Sequence, residues 1–154
     1  MNRSVRPQFD TESRVIQMGE MYEAACRDCF HTFQSSDGGG FHFFDLHCTE
    51  CGQVQSVAHD LIPEATEQYH RAAGEALAVD YSNAKPLIAL PVDGEELSRL
   101  REAIAEATAR FNEAIEPIIG RCSCGGRFAL GAPVRCPFCK STNTQRRVTL
   151  MDYD

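Results

Sequence analysis

CSCGGRFALGAPVRCPFC, residues Cys122 to Cys139, holds two short thiol pairs, Cys122/Cys124 and Cys136/Cys139. A Gly-Gly turn, a brief apolar run and a loop carrying Pro133 separate them. Earlier in the chain, Cys26 to Cys51 repeats the plan with Cys26/Cys29 and Cys48/Cys51. All eight cysteines therefore fall into two groups of four along the sequence. A zinc ion takes four thiolates at tetrahedral corners about 2.3 Å away. A C-x-x-C turn supplies one edge of that tetrahedron, and a second pair supplies the opposite edge. Read in chain order, the pairs predict one metal site from Cys26, Cys29, Cys48 and Cys51, and another from Cys122, Cys124, Cys136 and Cys139.

Four disulfides are the competing use of eight cysteines. The N-terminal run MNRSVRPQFDTESR lacks the apolar stretch of an export signal, and thiols spaced two or three apart suit metal better. No run reaches the 18 or so apolar residues of a membrane helix. The expectation is a cytoplasmic protein with two bound metal ions and no membrane contact.

The net charge of −7 over 154 residues is unevenly spread. Residues 57–116 carry 12 acids and 5 bases, whereas residues 117–154 carry 6 bases and 2 acids. Those bases are Arg121, Arg127, Arg135, Lys140, Arg146 and Arg147. With Phe128 and Phe138 interleaved, they form a candidate nucleic-acid surface, able to neutralise phosphates and stack bases. The acidic remainder of the chain opposes long-range attraction.

Residues 1–20 have no sustained periodicity and read as a leader. Tyr22 and Ala24 alternate as a strand into Cys26, and Phe30 to Gln34 leaves as the next. Ser35-Ser36-Asp37-Gly38-Gly39-Gly40 is the strongest turn signal. Phe41 to His47 returns as a strand whose Phe41, Phe43 and Phe44 read as a miniature core, and Gln53 to Ala58 follows as an edge strand. Gly52 suits a turn that needs positive φ. The tail RRVTLMDYD alternates Val148 and Leu150 against Thr149 and Met151 as a closing strand.

Between the cysteine groups lie two helices, about 63–78 and 94–116. Pro63 fits a first helical turn. Asp93 with Glu96 makes a capping-box pattern. Leu97, Leu100, Ile104, Ala107, Phe111, Ala114 and Ile118 form a stripe at spacings of three and four. It is expected to pack on the first helix as a hairpin, with a homodimer through helix 94–116 as the alternative. Pro117 is expected to end or kink the helix near Glu116.

CRDC, CTECG, CSCGG and CPFCKS resemble the knuckles of zinc ribbons and rubredoxin-like proteins, over residues 22–56 and 120–153. The resemblance implies a four-cysteine zinc ribbon over 21–58 and a second over 119–154; with the helical segment over 59–118 read from its residues, the expected chain is α+β. The resemblance also implies two structural zinc ions. The second unit departs from the rubredoxin pattern because Cys122-Ser123-Cys124 is C-x-C. A shortened knuckle loses N–H···S bonds that tune a redox iron, whereas zinc asks only for a tetrahedron, so zinc fits better than iron.

His31 and His47 flank cysteines and are candidates to replace a thiol or to bond one. His42, His59 and His70 read as surface or packing residues. A catalytic zinc keeps an open position, and neither an H-E-x-x-H motif nor a Gly-rich phosphate loop at a helix start is present. The sequence therefore points to a non-enzymatic adaptor that docks on a larger protein, with nucleic-acid binding and rubredoxin-like electron transfer as alternatives.

Overall fold

A computed structural model describes residues 19–39, 42–84 and 94–153. Residues 1–18 of the expected leader, Phe41 and the Asp93 cap lie outside the described residues, while Gly19 and Glu20, expected in that leader, open the first strand. The elements are β1 (Gly19–Cys26), β2 (Thr32–Asp37), β3 (Phe43–Cys48), β4 (Val54–Ala58), α1 (Pro63–Ala84), α2 (Gly94–Ile119), β5 (Phe128–Ala129) and β6 (Thr144–Tyr153). They make two three-stranded antiparallel sheets and a helical pair, the expected α+β architecture.

Each sheet takes strands from both ends of the chain. The outer sheet has the order β2-β1-β6 and the inner sheet β4-β3-β5. β1 and β2 form a hairpin with the Cys26/Cys29 knuckle at its turn, paired from Glu20↔Asp37 to Ala25↔Thr32. β6 lies on the other edge of β1, from Gly19↔Tyr153 to Cys26↔Thr144, with two register shifts. β3 and β4 form the second knuckle hairpin, and the two residues of β5 pair with its end as His47↔Ala129 and Cys48↔Phe128.

β3 is buried along nearly its whole length because both of its faces are used. Phe44, Leu46 and Cys48 point one way, into a core completed by Val57, Phe111, Ile115, Cys122, Phe128 and Leu130. Asp45 and His47 point the other way and find partners there, although the buried Nδ1 of His47 has none. Asp45 accepts the Ser56 hydroxyl at 2.5 Å, and His47 Nε2 meets the Ser36 carbonyl at 2.8 Å, linking the two sheets. Phe44 is the hub of the core. It stands edge-on to Phe111 and Tyr69, with ring centroids 5.2 and 5.4 Å apart, and also packs against His59 and His70.

The stripe on α2 does pack on α1 and the inner sheet, but its lower end drifts. Ala107, Phe111 and Ile115 are the buried positions and Ile118 is exposed, so Ile115 and Ile119 replace Ala114 and Ile118 at the base. A straight helix with 3.6 residues per turn rotates away from a strict heptad, and a spacing of four brings these residues round to the core. The helix also runs through Pro117 to Ile119 and ends at Gly120, whose N–H bonds the Glu116 carbonyl at 2.9 Å with φ of 74°. Asn112, beside the stripe, acts as a substitute strand for the chain after β5. It donates to the Leu130 carbonyl and accepts the Leu130 N–H, at 3.2 and 2.8 Å.

Two measurements test this core. Phe111→Ala is expected to cost about 3–5 kcal/mol of unfolding free energy in chemical denaturation, the range for truncating a buried phenylalanine. His70 has its pKa lowered, first by burial and then by neighbouring His59. The unfolded chain therefore binds that proton more readily, so this share of stability is complete above about pH 6.5 and declines as pH falls below it. His70→Asn should accordingly lose urea resistance less steeply than wild type between neutral and mildly acidic pH.

Candidate metal centres

The four knuckles share one backbone design. In the first, the Cys26 N–H bonds the His31 carbonyl and the Phe30 N–H bonds the Cys26 carbonyl, at 2.9 and 3.0 Å. The fourth repeats this with Cys136 N–H to Ser141 and Lys140 N–H to Cys136, both 2.9 Å. In the second, the Cys48 N–H reaches the Gln53 carbonyl at 2.8 Å. The third is the C-x-C knuckle, and it keeps the pattern one residue shorter, with Cys122 N–H to Gly126 and Gly125 N–H to Cys122 at 2.9 and 2.8 Å. Its sulfur is not stripped of donors either, since the Gly126 N–H lies 3.4 Å from Cys124 Sγ, as the Glu50 N–H does from Cys48 Sγ.

The thiols meet in two cages, but not in chain order. Cys26 and Cys29 join Cys136 and Cys139, while Cys48 and Cys51 join Cys122 and Cys124. The expected grouping, each early or late pair of knuckles closing on itself, is thus corrected: the first knuckle meets the fourth and the second meets the third. Strand pairing is the cause. β1 enters the first knuckle and β6 leaves the fourth, and their antiparallel ladder sets Cys26 opposite Thr144. Likewise β3 enters the second knuckle and β5 leaves the third, with Cys48 opposite Phe128.

Across the outer cage, Cys26 and Cys139 lie 3.5 Å apart and Cys29 and Cys136 3.6 Å apart, sulfur to sulfur. Across the inner cage, Cys48–Cys124 and Cys51–Cys122 are both 3.5 Å. All eight cysteines are free thiols, and these separations far exceed the roughly 2.05 Å of a disulfide. They approach the ~3.8 Å edge of a tetrahedron whose metal–sulfur bonds are ~2.3 Å. Each group of four sulfurs, mutually within 4.8 Å, could therefore hold a metal ion. Four protein donors leave no open position for a substrate.

Crowded thiols resist losing all their protons together. The Cys29 N–H bond to Cys26 and the Cys124 N–H bond to Cys122 bring those two thiols down to about 7. Cys29, although the His31 backbone favours its thiolate, is pushed up to about 12 by burial and by hydrogen bonds with neighbouring thiols. Burial does the same to Cys51, also to about 12. A cation removes this conflict by taking four thiolates at once.

The inner cage belongs to the core, and the outer cage stands apart from it. Cys48 and Cys122 sit in the apolar cluster with Phe128 and Ile115, and Cys51 packs against it. A Cβ on Gly126 would lie 2.7 Å from Cys48 Sγ and 2.8 Å from Glu50 Cγ, so this position has room only for glycine. The two knuckle regions touch at Gly52, where an added Cβ would meet the Arg135 carbonyl at 2.4 Å. Gln53 supplies a further contact, its Oε1 lying 3.0 Å from Cys122 Sγ. Gln53 and Asn112 are site-shaping residues that sequence reasoning missed, because neither belongs to a spacing pattern.

Neither histidine candidate joins a cage. His47 is committed to Ser36, and His31 is exposed, stacked between Phe33 and Phe138. The six C-terminal bases are drawn into local contacts. Arg121 and Arg127 both pair with Glu116 of α2, at 3.1 and 3.2 Å. Arg146 pairs with Glu20 and lies 4.2 Å over the Tyr22 ring, and Arg147 reaches Glu23 at 3.4 Å. Arg135 donates to the Lys140 carbonyl at 3.0 Å. Phe128 is buried, whereas Phe138 is exposed. Among the described residues no helix is long and apolar enough to cross a membrane.

Over residues 22–145 the chain matches, and belongs to, the family described as Domain of unknown function (DUF8255). No curated protein and no solved structure matches it.

Paired substitutions read out the nested grouping. Cys26→Ser with Cys136→Ser strikes one cage twice and is expected to halve the metal bound per chain in elemental analysis. Cys26→Ser with Cys122→Ser strikes both cages and should leave almost none. Loss of all metal from the first combination would restore the chain-order grouping.

Proposed function

We propose that the protein is a non-enzymatic adaptor in which two structural Zn²⁺ ions fix a rigid platform for docking on a larger protein. The observation that carries this reading is the closure of both cages: four thiols each, no open position, and the inner cage continuous with the core. Zinc accounts for the inner site better than iron, whereas the outer site, built from two C-x-x-C knuckles, offers a four-sulfur tetrahedron that suits either metal. The third knuckle is shortened to C-x-C, and zinc has no geometric demand beyond the tetrahedron and no redox chemistry to tune.

The docking half of the proposal is supported by the helical hairpin. Glu95, Glu102, Glu106 and Glu113 stand exposed on α2. Glu106 is paired with exposed Arg110 at 2.5 Å, and such exposed pairs are worth little. The hairpin thus offers an acidic face to a partner of basic chemistry. Intact CxxC thiols also suit a reducing compartment, consistent with a cytoplasmic place of action.

One experiment tests both halves. In extracts of its source cells, the protein should carry two zinc ions and migrate well above its own 17.1 kDa. A strong chelator should then unfold it and return it to the free fraction, because binding free energy is folding free energy in such cages. Migration as a free chain at every salt concentration would sink the adaptor reading. Retention of native circular dichroism after zinc removal would sink the structural role of the metal.

A further inference from the structure

The four knuckles each contain one residue at which the backbone turns left-handed: Phe30, Gly52, Gly125 and Lys140, with φ of 63°, 79°, 89° and 67°. The inner cage uses glycine at both of its positions, the residue that adopts this conformation freely. The outer cage uses phenylalanine and lysine, for which the conformation is sterically unfavourable. Packing does not compensate Phe30, whose ring is 84% exposed. Unfavourable backbone held at an exposed aromatic residue leads from an observed outlier to a hypothesis of function.

A second exposed ring stands on the knuckle that shares its cage. Phe138, between the outer-cage ligands Cys136 and Cys139, is 74% exposed. His31 stacks on Phe138 with centroids 5.6 Å apart and planes 26° apart. On Phe33 it stacks at 6.4 Å and 9°. His31 thus stacks with both Phe33 and Phe138. Arg27 and Lys140 project from the same two knuckles and are exposed. Lys140 Nζ donates to the Pro137 carbonyl, a neutral acceptor, and among the described residues no carboxylate pairs with it. The acid of these two knuckles, Asp28, accepts from Ser141 and Asn143, neutral donors that hold it ionised, so the side chains Arg27, Asp28 and Lys140 together carry one net positive charge. By contrast, Arg121, Arg127, Arg146 and Arg147 are all paired with glutamates.

We infer that the rim of the outer cage, formed by Phe30, His31 and Phe138 with Arg27 and Lys140, binds single-stranded nucleic acid by stacking unpaired bases on its rings. Every base offers a π-face, so stacking is tolerant of sequence, and the two cations neutralise flanking phosphates. Bases inside a duplex are already stacked and cannot reach the rings. The site differs from the one expected over the C-terminal segment, because four of those arginines are engaged by the three glutamates Glu116, Glu20 and Glu23, and Phe128 is buried. The net charge of −7 makes attraction local rather than long-range. Base stacking at this rim does not depend on docking to a protein through the acidic hairpin; it requires only an intact outer cage.

The test is fluorescence anisotropy of the full-length, zinc-loaded chain with a labelled thymidine homopolymer and with a duplex of equal length, across a salt series. The single strand is expected to bind about tenfold tighter than the duplex, or better. Two phosphate contacts give a slope of log K against log salt of about −1.4 for single strands, and Arg27→Gln with Lys140→Gln should flatten it. Phe138→Ala and Phe30→Gly should each weaken binding about tenfold or more. Phe30→Gly is the sharper variant, since glycine suits the left-handed turn and leaves the fold as stable or more so. Absence of binding at low salt, equal binding of duplex, or indifference to both ring substitutions, at unchanged zinc content, overturns the inference. Ring substitutions that instead alter only self-association or capture of another protein would make the rim a protein interface and overturn it as well.

Discussion

Everything else in the molecule depends on a tetrahedron of sulfurs closed by parts of the chain that are far apart in sequence. In the inner cage, Cys51 and Cys122 are 71 positions apart, yet their sulfurs lie 3.5 Å from each other. Chain entropy opposes such closure only gently. Each doubling of a loop adds about 0.6 kcal/mol. Choosing Cys122 over Cys29 as the inner cage's next neighbour therefore costs roughly 1 kcal/mol more, about two doublings. Burying Phe128, Leu130 and Cys122 against Phe44 and Phe111 outweighs that, since a single buried phenylalanine or leucine is worth about 1.5–3 kcal/mol. Proximity along the chain consequently does not decide which knuckles meet. Strand pairing and core burial do.

The same balance explains what could and could not be read from residues alone. Cysteine spacing revealed four knuckles and all eight candidate ligands, because a tetrahedral ion constrains spacing locally. Four knuckles can pair in three ways, and no local rule selects among them. The deciding feature was the ten-residue strand β6, which is too long to be served by the two residues of β5 and pairs along the whole of β1. Its alternation was legible, but its partner was not. On α2, periodicity identified Ala107 and Phe111 correctly. The shift to Ile115 emerges only when the helix meets a particular sheet. Charge was the least legible, since the availability of an arginine depends on which glutamate the fold brings beside it, as Glu116 is brought to Arg121 and Arg127.

The two cages repeat one backbone scheme with different side chains, and the differences follow their surroundings. The inner cage sits where the helical hairpin, the inner sheet and Gly126 converge, so its turns carry glycine and its sulfurs lie against apolar side chains. The outer cage has no helix over it among the described residues. Its sheet is held laterally by the β1–β6 ladder, by the Arg146 and Arg147 pairs with Glu20 and Glu23, and by Arg146 over Tyr22. Ion pairs exposed to this degree contribute little each, which leaves the β1–β6 ladder and the four sulfurs of the outer cage as the main constraints on that end of the molecule.

A graded stability follows from that arrangement. Opening the inner cage exposes the apolar cluster around Phe44, so it requires most of the global unfolding free energy. Opening the outer cage separates only β6 and the fourth knuckle from β1. Val148, Leu150 and Met151 of β6 are already about half exposed, so little apolar surface is newly wetted. Local opening draws on the region with the fewest buried contacts. The outer ribbon therefore opens first, while the helices and inner ribbon persist as one cooperative unit. The cage that stands outside the core is also the one whose turns carry exposed phenylalanine and lysine, which is where a surface freed from packing duty is available for contact with other molecules.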